Sequence, residues 1–168
     1  MLSYRNAILD DAPAIGALFR QGFIDTFGHI YDPKDLAAFF TAFTLEAWRS
    51  EIADPDLVFR LAEEDGVLAG FAKISSVTLP VTPAGPAAEL RQLYVLKAWH
   101  GRGIAQALMD WVIAEARGRG AEELYLSVFT DNHRARSFYA RYGFEPIGPY
   151  TFMVGSHEDQ DIIMKLKL

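Results

Sequence analysis

Hydrophobic and polar residues alternate along some segments of the chain and recur every three to four residues along others. Alternation over residues 2–8 predicts a first strand. The longer period predicts a first helix, with apolar residues at Ile15, Leu18, Phe19 and Phe23 and a cap at Asp10 or Asp11. A second helix is predicted to begin at Asp32-Pro33, because a capping side chain followed by proline is typical of a helix start. Thr44 is predicted to cap a third helix.

The second half of the chain predicts a sheet with helices between its strands. Two apolar runs, 57–64 and 67–79, flank Asp65-Gly66 and predict a hairpin with a tight turn. The remaining predictions are a loop over 80–86, a strand over 88–96, an amphipathic helix over 103–117, an apolar strand over 123–129, a helix from Asp131 or Asn132 to 142, and two final strands around a polar turn at 155–160. These elements predict a single α/β domain with a mixed sheet over residues 1–168.

Composition and charge exclude several classes of protein. The chain has no cysteine, which rules out disulfides, thiolate metal sites and a cysteine nucleophile. Its formal net charge is −6 with a pI near 5.2, so it lacks the basic face that nucleic acid binding requires. No apolar stretch approaches the roughly 20 residues of a membrane span, and the N-terminus does not have the pattern of a signal peptide. We therefore expect a cytoplasmic protein that binds neither nucleic acid nor membrane.

The strongest local motif is the segment His100-Gly101-Arg102-Gly103-Ile104-Ala105, which lies between a predicted strand and a long predicted helix. Small residues at such a turn allow a ligand to approach the backbone closely, and the helix start directs free N–H groups at it. An anion, especially a pyrophosphate, suits that arrangement. The triplet of a P-loop and the third glycine of a dinucleotide-binding fingerprint are both missing, since position 106 is Gln106.

Two longer stretches, 89–116 and 126–148, give this motif a context. The loop pattern Gln/Arg-x-x-Gly-x-Gly/Ala is filled by His100-x-x-Gly103-x-Ala105, with histidine as a departure at the first position. Downstream, Asn132, the pair Phe138-Tyr139 and the triplet 142–144 complete a second motif. On these residues the chain resembles the GNAT family of N-acetyltransferases.

The resemblance implies an α/β fold in which helices flank a central, mostly antiparallel seven-stranded sheet that splays between the fourth and fifth strands. It implies an acyltransferase that moves an acetyl group from acetyl-CoA to a primary amine in a ternary complex. No metal is expected, because the four histidines show no metal-ligand spacing. Dimers are common for this fold, so the resemblance is also compatible with a homodimer.

Cofactor contacts follow from the resemblance residue by residue. Backbone groups of Leu93, Tyr94 and Val95 are expected to pair with the pantetheine arm as if it were another strand. The amides from Gly101 to Ala105, including those of Arg102, Gly103 and Ile104, are expected to hold the pyrophosphate, while the part played by the His100 side chain is open. The Arg102 side chain either adds charge to the site or is simply solvated. Asn132 is expected to bond to the cofactor, to cap a helix, or to do both.

Amide formation from an amine and a thioester needs a base, an oxyanion donor and an acid. The resemblance implies Tyr139 as the acid at the leaving thiolate, the alternative being a core aromatic beside Phe138. It implies the Val95 amide as the oxyanion donor. Glu89, six residues before Val95, is the implied base, directly or through a water, and the alternative is an exposed glutamate at a strand end.

The acceptor side is predicted from the N-terminal helices and the last turn. The segments 21–40 and 151–166 look like the bacterial PaiA-like polyamine acetyltransferase branch. A slot for an aliphatic cation is predicted there, with candidate residues Phe23, Asp25, Phe27, Tyr31 and Asp32. The alternatives are that the aromatic rings only pack the helices and that Asp32 is only a helix cap.

The acceptor is therefore expected to be a small-molecule primary amine, with a polyamine such as spermidine as the first candidate. Acetylation of a protein or peptide amine, or of a drug-like amine, is the alternative enzyme hypothesis. A CoA-sensing module without turnover is the alternative from another class of protein.

Overall fold

The computed structural model describes the whole chain, Met1–Leu168, and contains seven strands in one sheet. The strands are β1 Leu2–Asn6, β2 Val58–Glu64, β3 Val67–Ser76, β4 Ala87–Val95, β5 Glu123–Phe129, β6 Glu145–Val154 and β7 His157–Lys167. Their order across the sheet is β1-β2-β3-β4-β5-β7-β6. The predicted hairpin is confirmed, and Asp65 and Gly66 form its turn with φ values of 52° and 80°.

Five helices cover the sheet. They are α1 Ala12–Phe27, α2 Pro33–Phe40, α3 Leu45–Ala53, α4 Ile104–Gly118 and α5 His133–Arg141. Three begin at side-chain caps that satisfy backbone N–H groups left free at a helix start. Asp32 accepts a hydrogen bond from the N–H of Lys34, and Thr44 accepts one from Ala47. None of the five is long and apolar enough to cross a bilayer.

All neighbouring strands are antiparallel except β4 and β5, which run parallel. The parallel pairing covers only three residue pairs, from Ala87 with Glu123 to Glu89 with Tyr125. Beyond Glu89 the two strands separate, so the second half of β4 has β3 on one side and no strand on the other. The predicted splay between the fourth and fifth strands is confirmed.

The two faces of the sheet carry two different cores. Aliphatic residues of α4, such as Leu108 and Val112, are fully buried against the face that includes Leu124. The opposite face packs against α1, α2 and α3 through an aromatic cluster that includes Phe19 and Trp48. Each large apolar side chain removed from water contributes about 1.5–3 kcal/mol, so both helix layers are held firmly onto the sheet.

The last hairpin differs from the sequence prediction in one respect. Residues 155–160 were predicted to form a polar turn, but β7 already begins at His157, and the turn consists only of Gly155 and Ser156. Asp35 accepts hydrogen bonds from both the N–H and the hydroxyl of Ser156, at 2.8 and 2.7 Å. These hydrogen bonds tie the turn to α2.

Candidate active site

A cavity of about 730 Å³ lies where β4 and β5 separate. Its walls come from α1, the second half of β4, the turn before α4, the end of β5, α5 and the beginning of β7. Of the residues predicted from the sequence, most reach this cavity. Those on its lining are Phe23, Phe27, Tyr31, Glu89, Leu93, Tyr94, Val95, His100, Gly101, Gly103, Ile104, Ala105, Asn132 and Tyr139.

The free edge of β4 presents backbone groups to the cavity at alternate residues. The N–H of Leu96 donates to Ala69 on β3, so the groups of Val95 and Leu93 point the other way, towards the cavity. The carbonyl of Tyr94 instead lies against Gly70 on β3. Contrary to the sequence prediction, Tyr94 contributes its ring to the cavity and not its backbone groups.

The turn before α4 has the backbone geometry expected of an anion cradle. Gly101 and Gly103 have φ values of 77° and 78°, a region that side chains with a Cβ rarely adopt. The N–H of Ala107 makes the first bond of the helix, to the carbonyl of Gly103, which leaves the N–H groups of Ile104 and Ala105 without helix partners. The helix start therefore directs free donors towards the cavity.

Arg102 does not line the cavity. Its guanidinium makes two hydrogen bonds to the Glu64 carboxylate, at 3.0 and 2.8 Å, and stacks over Trp99. The side chain thus ties the turn to β2, which differs from both alternatives considered from the sequence. Arg134 and Arg141 on α5 line the cavity instead and supply positive charge there. The sequence analysis missed both arginines, although their position after Asn132 in the second motif was a usable signal.

Asn132 and Tyr139 face the cavity from the beginning and end of α5. The Asn132 side chain accepts a hydrogen bond from the N–H of Ala135 at 3.2 Å, so it caps the helix and also lines the cavity. The Tyr139 ring packs edge-on against Phe138 and Phe144. Removal of water from around its hydroxyl raises the pKa of Tyr139 to about 12. The phenol therefore remains a proton donor throughout the physiological range.

Glu89 is buried, with only 3% of its surface exposed, so the alternative of an exposed strand-end glutamate is wrong. Its carboxylate accepts hydrogen bonds from the hydroxyl and N–H of Thr78 and from the N–H of Leu79, at 2.9, 3.2 and 3.0 Å. It also forms an ion pair of 3.0 Å with Arg91. Four donors surround two oxygens, and these contacts hold the loop after β3 against β4.

On the acceptor side, three predicted aromatic residues line the cavity and two predicted carboxylates do not. Phe23 stacks on Tyr31 and also contacts Phe27. Asp25 is exposed and accepts a hydrogen bond from Gln21, while Asp32 caps α2. The carboxylates placed in the slot from sequence are therefore outside it, because α1 directs position 25 to solvent.

Two other carboxylates take that place. Asp159 and Asp161, on β7, are buried and line the cavity. Burial first, and the charge of Asp159 second, raise the pKa of Asp161 to about 7. Neither residue was predicted from the sequence: Asp159 was assigned to the turn at 155–160, and Asp161, at the start of the predicted last strand, was not considered for the site. Their two-residue spacing, continued by buried Ile163, is a strand signal that could have found them.

Comparison with known proteins agrees with this geometry. Residues 17–144, more than half of the chain, match the model of the acetyltransferase (GNAT) family. An uncharacterized N-acetyltransferase of Mycobacterium tuberculosis is 35% identical over 137 residues, which cover 81% of this chain and 84% of that protein. Another from Lactobacillus delbrueckii subsp. lactis is 29% identical over 162 residues, covering 94% and 92%.

A solved structure shows the same fold over the whole chain. The PaiA N-acetyltransferase of Thermoplasma acidophilum, in complex with coenzyme A, has a TM-score of 0.81 and 21% identity, and the match covers 100% of this chain and 99% of that one. The fold and the cavity define an acyltransferase of the N-acetyltransferase class. The chain belongs to the GNAT acetyltransferase family.

Proposed function

We propose that this protein transfers an acetyl group from acetyl-CoA to a primary amine of a small cationic molecule. The observation that carries the proposal is the free edge of β4 leading to the glycine turn at the start of α4. A strand edge with unpaired N–H and C=O groups fits the amide groups of a pantetheine arm. A helix start with free N–H groups fits the pyrophosphate that follows the arm.

Each part of the cofactor has a counterpart among the residues of the cavity. Leu93 and Val95 would bond to the pantetheine amides, and the backbone from Gly101 to Ala105 would hold the pyrophosphate. Arg134 would add positive charge beside the phosphates. The structure of the PaiA enzyme with coenzyme A supports this assignment, because the two folds superpose over the full chain.

The residues around the point where β4 and β5 separate are suited to the proton transfers of amide formation. Acetyl-CoA, when bound, supplies the acetyl group as a thioester. The Val95 N–H would stabilise negative charge on the carbonyl oxygen as the new C–N bond forms. Tyr139 would give its proton to the sulfur as the C–S bond breaks.

The acceptor nitrogen must also lose a proton, because an alkylammonium with a pKa near 10 is not nucleophilic. Glu89 is our candidate for the base. Both of its oxygens already accept hydrogen bonds, so we propose that it draws the proton through a water rather than directly. The nitrogen loses a second proton as the amide forms, so of the two protons taken from it one returns to Tyr139 and the other is released to solvent.

The surroundings of the acceptor favour an aliphatic polyamine such as spermidine. Aromatic rings of Phe23, Phe27 and Tyr31 cover one side of the slot, where they can pack against methylene groups. Carboxylates reach the same space from β7 and would attract ammonium groups. A peptide α-amine presents one positive charge and a polar backbone, which this combination of rings and acids matches less well.

The proposal is tested by measuring CoA release with acetyl-CoA and a panel of amines. The panel contains spermidine, 1,4-diaminobutane, n-butylamine and an alanine-initiated peptide. We expect spermidine or the diamine to give the highest kcat/KM. A peptide that exceeds both would favour a protein acetyltransferase, whereas CoA binding without any turnover would favour a sensing module.

A further inference from the structure

Asp159 and Asp161 lie two residues apart on β7, so their side chains project from the same face of the strand. Only 4% and 8% of their respective surfaces are exposed. Both line the cavity at the side where α1 covers the sheet. Carboxylates are rarely buried unless a partner compensates for the lost hydration.

Few groups of the protein compensate the two carboxylates for their lost hydration. The hydroxyl of Tyr31 donates a hydrogen bond to Oδ2 of Asp159. Oδ1 of the same residue is buried and has no hydrogen-bond partner, although Nε2 of His157 lies 3.2 Å away. No lysine or arginine pairs with either aspartate, and no hydrogen bond from the protein contributes to the pKa of Asp161.

The titratable groups around the pair Asp159 and Asp161 come from four parts of the chain. They are His157 on β7, Tyr150 opposite Asp161 on β6, Tyr94 on β4, and Tyr31 between α1 and α2. Burial first, and the hydrogen bond to Asp159 second, raise the pKa of Tyr31, while burial, with smaller contributions from Tyr139 and Asp161, raises the pKa of Tyr94. Carboxyl and phenol groups never carry positive charge, so His157 is the only basic side chain among these groups.

Aromatic rings, not polar groups, form the rest of the cavity wall around these two carboxylates. Phe129 is the partner of Asp161 on β5, and its ring lies edge-on to that of Phe27 at 6.1 Å. Phe23 and Tyr31 continue the same surface. The ammonium group of an alkylamine can contact the carboxylates while the methylene groups of the same molecule pack on these rings. This arrangement favours an alkylammonium ion over a hydrated metal ion.

We propose that Asp159 and Asp161 form a subsite that binds a second, protonated amine of the acceptor, which makes the protein selective for diamines and longer polyamines. The inference rests on the proposed function, since the amine that is acetylated must reach the thioester at the free edge of β4. A monoamine would leave the buried carboxylates uncompensated, so selectivity would arise from the charge at the far end of the acceptor.

Steady-state kinetics with 1,4-diaminobutane and n-butylamine test the subsite, because the two acceptors differ only in the second amine. We expect Asp161→Asn and Asp159→Asn each to raise the KM of the diamine at least tenfold, with a small effect on kcat and little effect on n-butylamine. Asp25→Asn removes the same charge from an exposed site outside the cavity and is the matched control. A diamine preference that survives in both β7 variants would overturn the inference.

A second measurement uses only the parent protein, so it does not depend on the folding of any variant. An ammonium ion beside Asp161 favours the ionised carboxylate, so diamine binding should release a proton near pH 6 and little near pH 9. Since the pKa of Asp161 is about 7, the affinity should rise about tenfold between pH 6 and pH 8 and then level off. Calorimetric titration of spermidine in buffers of different ionisation enthalpy measures both quantities.

The two proposals fail in distinguishable ways. Absence of CoA release with every amine would defeat the proposed function, while spermidine binding with proton release would still support the subsite. Turnover with equal kcat/KM for the diamine and n-butylamine would defeat the subsite and leave the acetyltransferase activity intact. Spermidine affinity that is independent of pH between 6 and 8 would also overturn the subsite.

Discussion

The ring of His100 joins the end of β4 to α5 through Val95, whose carbonyl oxygen lies 2.8 Å from His100 Nε2. Nδ1 of the same ring lies 2.9 Å from Nη1 of Arg134. A carbonyl can only accept and a guanidinium can only donate, so the neutral ring with its proton on Nε2 satisfies both contacts. His100 therefore holds the Val95 backbone, where the family pattern has glutamine or arginine.

The first prediction concerns this bond. His100→Gln keeps an N–H that can reach the Val95 carbonyl, whereas His100→Ala leaves that carbonyl without its partner. We expect the alanine variant to bind CoA about three- to tenfold more weakly, in line with the loss of one hydrogen bond, and the glutamine variant to stay near the parent. Calorimetric CoA titration measures both. Equal losses in the two variants would mean that the ring, not the hydrogen bond, is what matters.

The second prediction concerns the glycine turn. Gly103→Val places a β-branched residue at φ 78° beside the free N–H groups of α4, and we expect CoA affinity to fall at least tenfold. Gly120→Val is the matched control, because Gly120 has φ 80° and open space around it but lies at the other end of α4. If both variants fold and bind CoA equally well, the pyrophosphate does not bind at this turn.

The third prediction concerns Tyr139. Replacement by phenylalanine keeps the ring packing and removes only the hydroxyl, so we expect kcat to fall ten- to a thousandfold with CoA affinity nearly unchanged. Because the pKa of Tyr139 is about 12, the parent should keep this donor at pH 9, and its kcat should not fall between pH 7 and pH 9 through loss of the tyrosine proton. Tyr142→Phe, which removes a hydroxyl bonded to Asp110, is the control. Undiminished kcat in Tyr139→Phe would leave Tyr139 as a packing residue.

The fold was predictable from the sequence because local signals and tertiary structure agree over most of the chain. Thr44 and Asn132 cap the helices that they were predicted to cap, and Asp65-Gly66 turns where predicted. These features depend on interactions between residues that are close in sequence, so a single sequence is enough to predict them. The cradle before α4 belongs to the same class, since its glycines, Gly101 and Gly103, are only two positions apart.

The acceptor side was less predictable because distant residues build it. Asp25 was assigned to the slot from its nearness in sequence to aromatic residues, yet its position on α1 turns it to solvent. Asp159 lies on β7, which begins at His157, and the turn before it is bonded to Asp35 on α2. The two residues of that contact are 121 positions apart in sequence, so no local sequence pattern predicts it. The role of Glu89 was open for a different reason, since its burial and its contacts with Thr78 and Arg91 are set by how β4 and the loop after β3 pack together.

The fourth prediction separates two roles of Glu89. If it draws the acceptor proton through water, Glu89→Gln should lower kcat/KM at pH 7 by about a hundredfold and recover partly at pH 9.5, where more of the amine is free. Loss of the carboxylate also ends the ion pair with Arg91 and replaces the oxygen that accepts from the Thr78 hydroxyl by an N–H₂ group, which should cost about 1–3 kcal/mol of stability. The pH profile of kcat/KM is compared with that of the parent. Parallel profiles would assign Glu89 to holding the loop alone.

The last prediction concerns the effect of Asp161 on stability. Its pKa is 3.8 without the environment of the folded protein and about 7 within it, so the folded state holds a proton that the unfolded chain releases between these values. Stability from this group is therefore lost as the pH rises from about 4 to 7, and the charged carboxylate is a net cost above pH 7. Asp161→Asn has a similar shape and does not titrate.

We expect the free energy of unfolding of Asp161→Asn to exceed that of the parent at pH 8, by an amount on the order of 1 kcal/mol after allowance for solvent in the cavity. The difference should shrink towards pH 5, where the parent carboxyl is protonated. Urea unfolding of both proteins at pH 5, 6.5 and 8 measures it, and Asp25→Asn should show no such trend. Saturating spermidine should reverse the order at pH 8, because only the parent offers a charged partner to the second amine. If the parent is more stable than Asp161→Asn at pH 8 without spermidine, β7 does not bury an uncompensated charge.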